Sequence, residues 1–162
     1  ISSQLFRYID CGNQDISAAI NLERLKAERD HIPMNVNAAV PERLQVESMD
    51  LCSLLTNLID NGLEECHRTK GEKYVHIVIQ TQGKNSLYIC VINPTDRQPA
   101  ADVRTWATSK RNKERHGFGV SIIQRIAEKY DGYFHGCIKD GTFIAEVILN
   151  EAVAEEDHSR ER

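Results

Sequence analysis

Hydrophobic positions along the chain change period several times, and each change marks an element. From about Asp15 to Asp30, Ile16, Ile20, Leu22 and Leu25 recur among Glu, Arg and Lys after an acidic start, which predicts an amphipathic helix. "MNVNAAV" alternates and stops at Pro41, the signature of a short strand. A second helix is expected from Ser48 or Asp50, either residue serving as N-cap, to about His67, with an apolar stripe of Leu51, Leu55, Leu58 and Gly62 flanked by Leu54 and Ile59. "KYVHIVIQT" and "NSLYICVIN" are β-rich runs joined through Gln82-Gly83-Lys84 as a hairpin. From Pro94 to Arg115 the pattern loses its period. "GFGVSIIQRIAEKYDG" then predicts a helix closed by Gly132, and "YFHGCIK" with "TFIAEVIL" a second hairpin through Asp140-Gly141.

Strand pairs punctuated by single helices specify an α/β (α+β) fold. The expectation is a two-layer sandwich, a mostly antiparallel mixed sheet covered on one face by helices, rather than the regular alternation of a dinucleotide-binding fold. At 162 residues with 41% hydrophobic content, one domain with a real core is expected. A formal net charge of −4 gives no electrostatic footprint for nucleic acid. Cys11, Cys52, Cys66, Cys90 and Cys137 are odd in number and widely spaced, so reduced thiols of a cytoplasmic protein are expected rather than a zinc site or disulfides. No apolar run approaches the ~18 residues of a membrane span. The chain begins without methionine, and it is read as a piece of something longer.

Chemistry enters on the helix "LLTNLIDNGLEE". Asn57, Asp60, Asn61 and Glu64 share one flank opposite the leucine stripe, because positions three, four and seven apart are neighbours. Each interior Asn costs roughly half a kcal/mol or more against Ala. A solvated polar face accounts for the flank only in part, since Lys, Gln and Glu would build it more cheaply. An amide oxygen is a hard neutral ligand suited to Mg²⁺ held beside substrate phosphates.

Two further features point the same way. In "HGFGV", Gly117 and Gly119 at the mouth of a helix allow close backbone approach, and free N–H groups there can cradle phosphate. The aperiodic stretch before them carries Lys110, Arg111, Lys113, Arg115 and His116, and a loop of that length in a compact domain is usually a lid. Asn93, in "VINPT", ends an alternating strand where the lid begins. Asn-Pro is also a common turn initiator, but the amide offers the donor and acceptor that an adenine edge needs.

Together these residues resemble the ATP-binding module of the GHKL superfamily, which includes gyrase, chaperone ATPases, mismatch-repair ATPases and histidine kinases. "LTNLIDNGLEEC" resembles the N box, "HGFGVSIIQRIAEKYDG" the second glycine box, and "GTFIAEVIL" the closing Gly-Thr strand. "TSKRNKERHGFG" is similar to the lid of accessory-gene-regulator, peptide-quorum-sensing histidine kinases. The resemblance covers about residues 13–150. It implies that Asn57 holds Mg²⁺ with support from Asn61, and that Lys110, His116, Gly117, Phe118 and Gly119 surround the triphosphate of ATP. It also implies that Asn57 and Lys110 serve the transfer, that Thr142 lies near adenine, and that Asn93 takes the adenine-reading role. Where the wider family has Asp-x-Gly-x-Gly, this chain has Asn93-Pro94-Thr95, which should weaken adenine binding and stiffen the lid hinge. Glu64 stands where many relatives carry lysine.

ATP-hydrolysing relatives place a glutamate one turn before the first N-box Asn, and Ser53 stands there instead. By resemblance, the expected activity is that of a sensor histidine kinase domain, passing the γ-phosphate to a histidine on a dimerisation helix outside this chain and onward to a response regulator. Alternatives are a GHKL ATPase, an anti-sigma-type serine kinase and a non-catalytic nucleotide-binding module. His31, His67, His76, His135 and His158 lack an acceptor context and are read as ordinary residues. Residues 1–12 are expected to close a preceding helical region or form a linker, 13–150 to be the kinase domain, and 151–162 a disordered charged tail. The full-length protein is expected to be a homodimer, with this domain cytoplasmic beneath a membrane anchor.

Overall fold

The structure, a computed structural model, describes residues 7–99 and 116–154. Its elements in chain order are α1 (Gln14–Arg29), β1 (Met34–Ala39), α2 (Ser48–Arg68), β2 (Val75–Gln82), β3 (Ser86–Pro94), α3 (His116–Lys129), β4 (Tyr133–Lys139) and β5 (Thr142–Leu149). The five strands form one mixed sheet in the order β1-β2-β3-β5-β4. β1 runs parallel to β2 and every other neighbouring pair is antiparallel. The register stacks Ile77, Val91 and Ala145 across three strands, and Ile79, Ile89 and Val147 beside them. These side chains are buried and form one core with α1, α2 and α3, so the sheet carries its helices on the face that alternation makes apolar.

α2 is the central helix, packed against α1, α3, β2 and β3. Leu51, Leu54, Leu55, Leu58 and Ile59 are each no more than 2% exposed, and Leu63 and Cys66 extend the stripe toward its C-terminal end. Neither Ser48 nor Asp50 caps the helix: the N-cap is Glu47, which makes no side-chain cap bond. Both expected caps are engaged elsewhere. The Ser48 hydroxyl donates to Asp15 at 2.6 Å. Asp50 accepts from Lys129 Nζ at 2.7 Å and from the Tyr130 hydroxyl at 2.6 Å, which braces α3 against α2. Lys129 first, then Tyr130, holds the Asp50 carboxyl below its ordinary range.

α1 corrects its sequence reading. Leu22 and Leu25 are 55% and 51% exposed, whereas Ile16, Ile20, Glu23 and Ala27 occupy the buried face at helical spacing. The Asn13 side chain caps α1 by accepting from the N–H groups of Asp15 and Ile16. Residues 7–11 are not helical and lie along α1. The Cys11 N–H donates to Ser17 Oγ, Asn21 bonds both backbone groups of Ile9, and Arg24 donates to the Arg7 carbonyl.

Both hairpins form, the first with Gly83, Lys84 and Asn85 as its turn. Asp140 and Gly141 make the second, both at positive φ as a two-residue primed turn requires. After α3, the left-handed position is Asp131 at φ 50° rather than Gly132. Gly132 is needed for a different reason: a Cβ there would lie 1.7 Å from the Ile148 carbonyl oxygen. All five cysteines are free, with Cys11, Cys66 and Cys90 buried. His76 meets Asn35, His67 meets Asp30 and His135 meets Glu146, each at a surface position as expected. Among the described residues, no helix is long and apolar enough to cross a membrane.

Glu23 is fully buried between α1 and α2. Its Oε1 accepts from Lys26 Nζ at 2.8 Å, and the same ammonium reaches Asp60 of α2 at 3.0 Å. Glu23 Oε2 has no hydrogen-bond partner among the described residues. Burial foremost, with the Asp60 carboxylate adding to it and Lys26 opposing, pushes the Glu23 carboxyl up from 4.5 to about 7. The folded state therefore keeps this proton over a window where the unfolded chain has lost it. Its stability declines as pH rises from about 4.5 to about 7. Glu23→Gln, a neutral isostere of the protonated acid, should match wild type in urea midpoint at pH 5 and exceed it at pH 8. Gly132→Ala should cost about 2 kcal/mol or more in the same measurement, because the backbone of β5 must move to admit the methyl.

Candidate nucleotide site

Because leucines bury one side of α2, its other flank is rotated toward the start of α3. Asn57, Asp60, Asn61 and Glu64 are all partly exposed there. The Asn57 amide nitrogen donates to the Ser53 carbonyl at 2.6 Å, a bond to the preceding helical turn that fixes which way the amide faces. Its oxygen is thereby turned toward the start of α3. Gly119, in the first turn of α3, packs against this oxygen: a Cβ on Gly119 would lie 3.2 Å from Asn57 Oδ1 and 3.3 Å from Asn61 Oδ1. Two amide oxygens four residues apart on one helix thus converge on a glycine at the N-terminal turn of another. That donor set suits a hard divalent cation shared with phosphates, and the missing side chain of Gly119 is what lets the α3 backbone come this close to both oxygens. Asp60, beside them in sequence, points to α1 and is neutralised by Lys26.

Asn93 meets α2 beside this flank, at Gly62. A Cβ on Gly62, the residue after Asn61, would lie 3.3 Å from Asn93 Oδ1. Asn93 is 1% exposed, and its Nδ2 donates to the Pro94 carbonyl at 2.9 Å, so the amide oxygen is the atom presented toward Gly62. Phe143 is the register partner of Asn93. Thr142 pairs one position on with Pro94, and strand alternation puts it on the opposite face of the sheet from Asn93. The backbone of Gly117 lies in the first turn of α3. Lys110 and the side chains of His116 and Phe118 lie outside the described residues.

The sequence reading missed Glu65 and the residues it holds. Glu65 is 6% exposed; its Oε1 accepts from the Thr95 hydroxyl at 2.7 Å, and its Oε2 meets Arg97 at 3.1 Å. The Thr95 N–H donates to the Gly141 carbonyl and the Lys70 N–H to Asp96, so the chain leaving β3 is pinned from several sides. The only signal available was position, since Glu65 stands four residues beyond Asn61 on the same helix. An open cleft of about 670 Å³ near Asp10, Asn13 and Glu42 lies at the other end of α1 and includes none of the site residues. Gly119→Ala should leave the unfolding free energy within about 1 kcal/mol of wild type in urea titration while shifting the Asn57 and Asn61 side-chain amide resonances, since the added methyl displaces both oxygens by a few tenths of an ångström.

Solved structures with this architecture include catalytic domains of histidine kinases. The chain superimposes on the nucleotide-free catalytic domain of histidine kinase ThkA with a TM-score of 0.69 at 13% identity, covering 85% of this chain and 92% of that one. A mycobacterial sensor histidine kinase, MprB, matches at 0.65 and 16%, covering 88% and 94%. A histidine kinase from Burkholderia phymatum matches at 0.64 and 18%, covering 86% and 68%. At such identities the likeness speaks to the fold. No curated protein matches the chain at the level of sequence. The sequence model described as the GHKL domain matches residues 46–150, more than half of the chain and the whole span from α2 to β5. The chain belongs to the GHKL domain family.

Proposed function

We propose that this domain binds Mg²⁺·ATP and transfers the γ-phosphate to a protein histidine carried on a dimerisation helix outside this chain. The observation that supports this reading is the convergence of Asn57 Oδ1 and Asn61 Oδ1 on Gly119, with the Asn93 amide oxygen meeting the same helix at Gly62. In this reading Asn57 and Asn61 hold the metal, which when bound neutralises charge on the phosphates. The first turn of α3 offers N–H groups to phosphate oxygens, and Asn93 Oδ1 accepts from the adenine amino group. Lys110, His116 and Phe118 are proposed to enclose the triphosphate; Thr142, on the sheet face opposite Asn93, is given no part in holding the base.

Ser53 supports transfer over hydrolysis. It lies one turn before Asn57, where a carboxylate would be needed to activate water, and its backbone carbonyl is already used to orient the Asn57 amide. The acceptor is then another protein group and the domain's task is positioning. On the resemblance of "TSKRNKERHGFG" to the lid of peptide-quorum-sensing kinases, the full-length protein is proposed to belong to that group, to dimerise and to pass phosphate to a response regulator.

Calorimetric titration with ATP, with and without Mg²⁺, tests the reading. Wild type should bind in a Mg²⁺-dependent manner, and Asn57→Ala should lose roughly 100-fold or more of that affinity. Absence of binding under both conditions would replace the kinase reading with a non-catalytic module.

A further inference from the structure

α2 carries a polar residue every fourth position, Asn57, Asn61, Glu65 and Thr69, the last being its C-cap. The set spans roughly 18 Å at 1.5 Å per residue, about the reach of a nucleoside triphosphate. The first two serve the proposed metal end. The last two touch no part of that end and are buried at 6% and 5% exposure, which a merely solvated flank would not require.

Their partners explain the burial. The Thr69 hydroxyl donates to the Glu65 carbonyl at 2.9 Å and lies 3.4 Å from the Pro94 carbonyl. Glu65 takes the Thr95 hydroxyl at 2.7 Å, and that hydroxyl in turn accepts from the Arg97 N–H. The Thr95 N–H is held by Gly141. The Pro94–Thr95 peptide is therefore fixed on both sides, and its carbonyl is the group that takes Asn93 Nδ2. An asparagine amide has two orientations, and only a fixed acceptor on one side selects between them. A buried carboxylate is retained only when paired, as Glu65 is with Arg97 at 3.1 Å and Arg68 at 3.9 Å.

We infer that Glu65, acting through Thr95 and the Pro94 carbonyl with Thr69, is a positioning residue that locks the Asn93 amide with its oxygen toward Gly62, making the proposed site selective for purines bearing a 6-amino group over 6-oxo purines. The inference rests on the proposed nucleotide site. A free asparagine would flip and offer Nδ2 to a 6-oxo group, so it would discriminate poorly. The locked amide accepts only, and a 6-oxo base leaves two acceptors facing each other.

The test compares Mg²⁺·ATP with Mg²⁺·ITP binding in wild type, Thr95→Val, Thr95→Ser and Glu65→Gln, alongside the Asn93 side-chain amide resonances of the nucleotide-free protein. Wild type should prefer ATP. Thr95→Val should lose that preference by about tenfold, Thr95→Ser should restore it, and Glu65→Gln should fall between. The Asn93 amide protons should be exchange-protected in wild type and Thr95→Ser but not in Thr95→Val. A preference unchanged in Thr95→Val, in a wild type that binds ATP, overturns this inference alone. Unprotected Asn93 protons in wild type overturn it as well. A wild type that binds no nucleotide overturns the functional reading and the selectivity with it.

Discussion

The burial of the α2 leucine stripe is the constraint on which the rest of the molecule depends. Five large side chains fix the rotation of that helix about its own axis, and each contributes roughly 2–5 kcal/mol on the scale of leucine truncations. Once the rotation is set, the orientation of every polar group on the remaining circumference is set too. Asn57 and Asn61 face Gly119, Asp60 faces Lys26, and Glu65 faces the chain leaving β3. The candidate site is thus a by-product of packing in the geometrical sense: no loop has to be ordered to align the amides.

What the sequence made legible follows from that same rotation. Period and turn chemistry were enough for the eight elements, the two hairpins and the covered sheet, because those signals are local. The pair of asparagines was legible because a helix interior disfavours them. Errors arose where a residue's local preference lost to a tertiary partner. Ser48 and Asp50 are good capping residues, yet one bonds Asp15 and the other Lys129 and Tyr130. Leu22 and Leu25 suggested the buried face of α1, but Glu23 takes it, and the pattern cannot show that a lysine on the next turn makes a buried carboxylate tolerable. Gly132 looked like a left-handed terminator, whereas its real constraint is a strand passing too close for any side chain. Glu65 and Thr95, thirty positions apart in the chain, could be connected only once β3 and α2 were in place.

The replacement of the usual glycine-rich turn by Asn93-Pro94-Thr95 also gains a physical account. Glycines leave a chain free to swing, and here the same stretch is instead tied to Glu65, Gly141 and Lys70. Thr95 is 4% exposed, so the first step beyond β3 belongs to the core. Loss of backbone freedom and gain of a fixed amide are two sides of one substitution, which ties local rigidity to what the site is able to recognise.

The mixed sheet carries a consequence for how the chain assembles. Four of the five strands meet their partners through tight hairpins or through β5 pairing back onto β3, whereas β1 reaches β2 only after the whole of α2 has been threaded between them. Closing that long connection costs more chain entropy than closing a turn, and β1 gains the pairing of a single edge in return. Its alternation of Asn35 and Asn37 with Val36 and Ala38 leaves polar side chains at the rim. As an edge strand with a polar rim, β1 closes its side of the sheet and guards it against recruiting a stranger in its place.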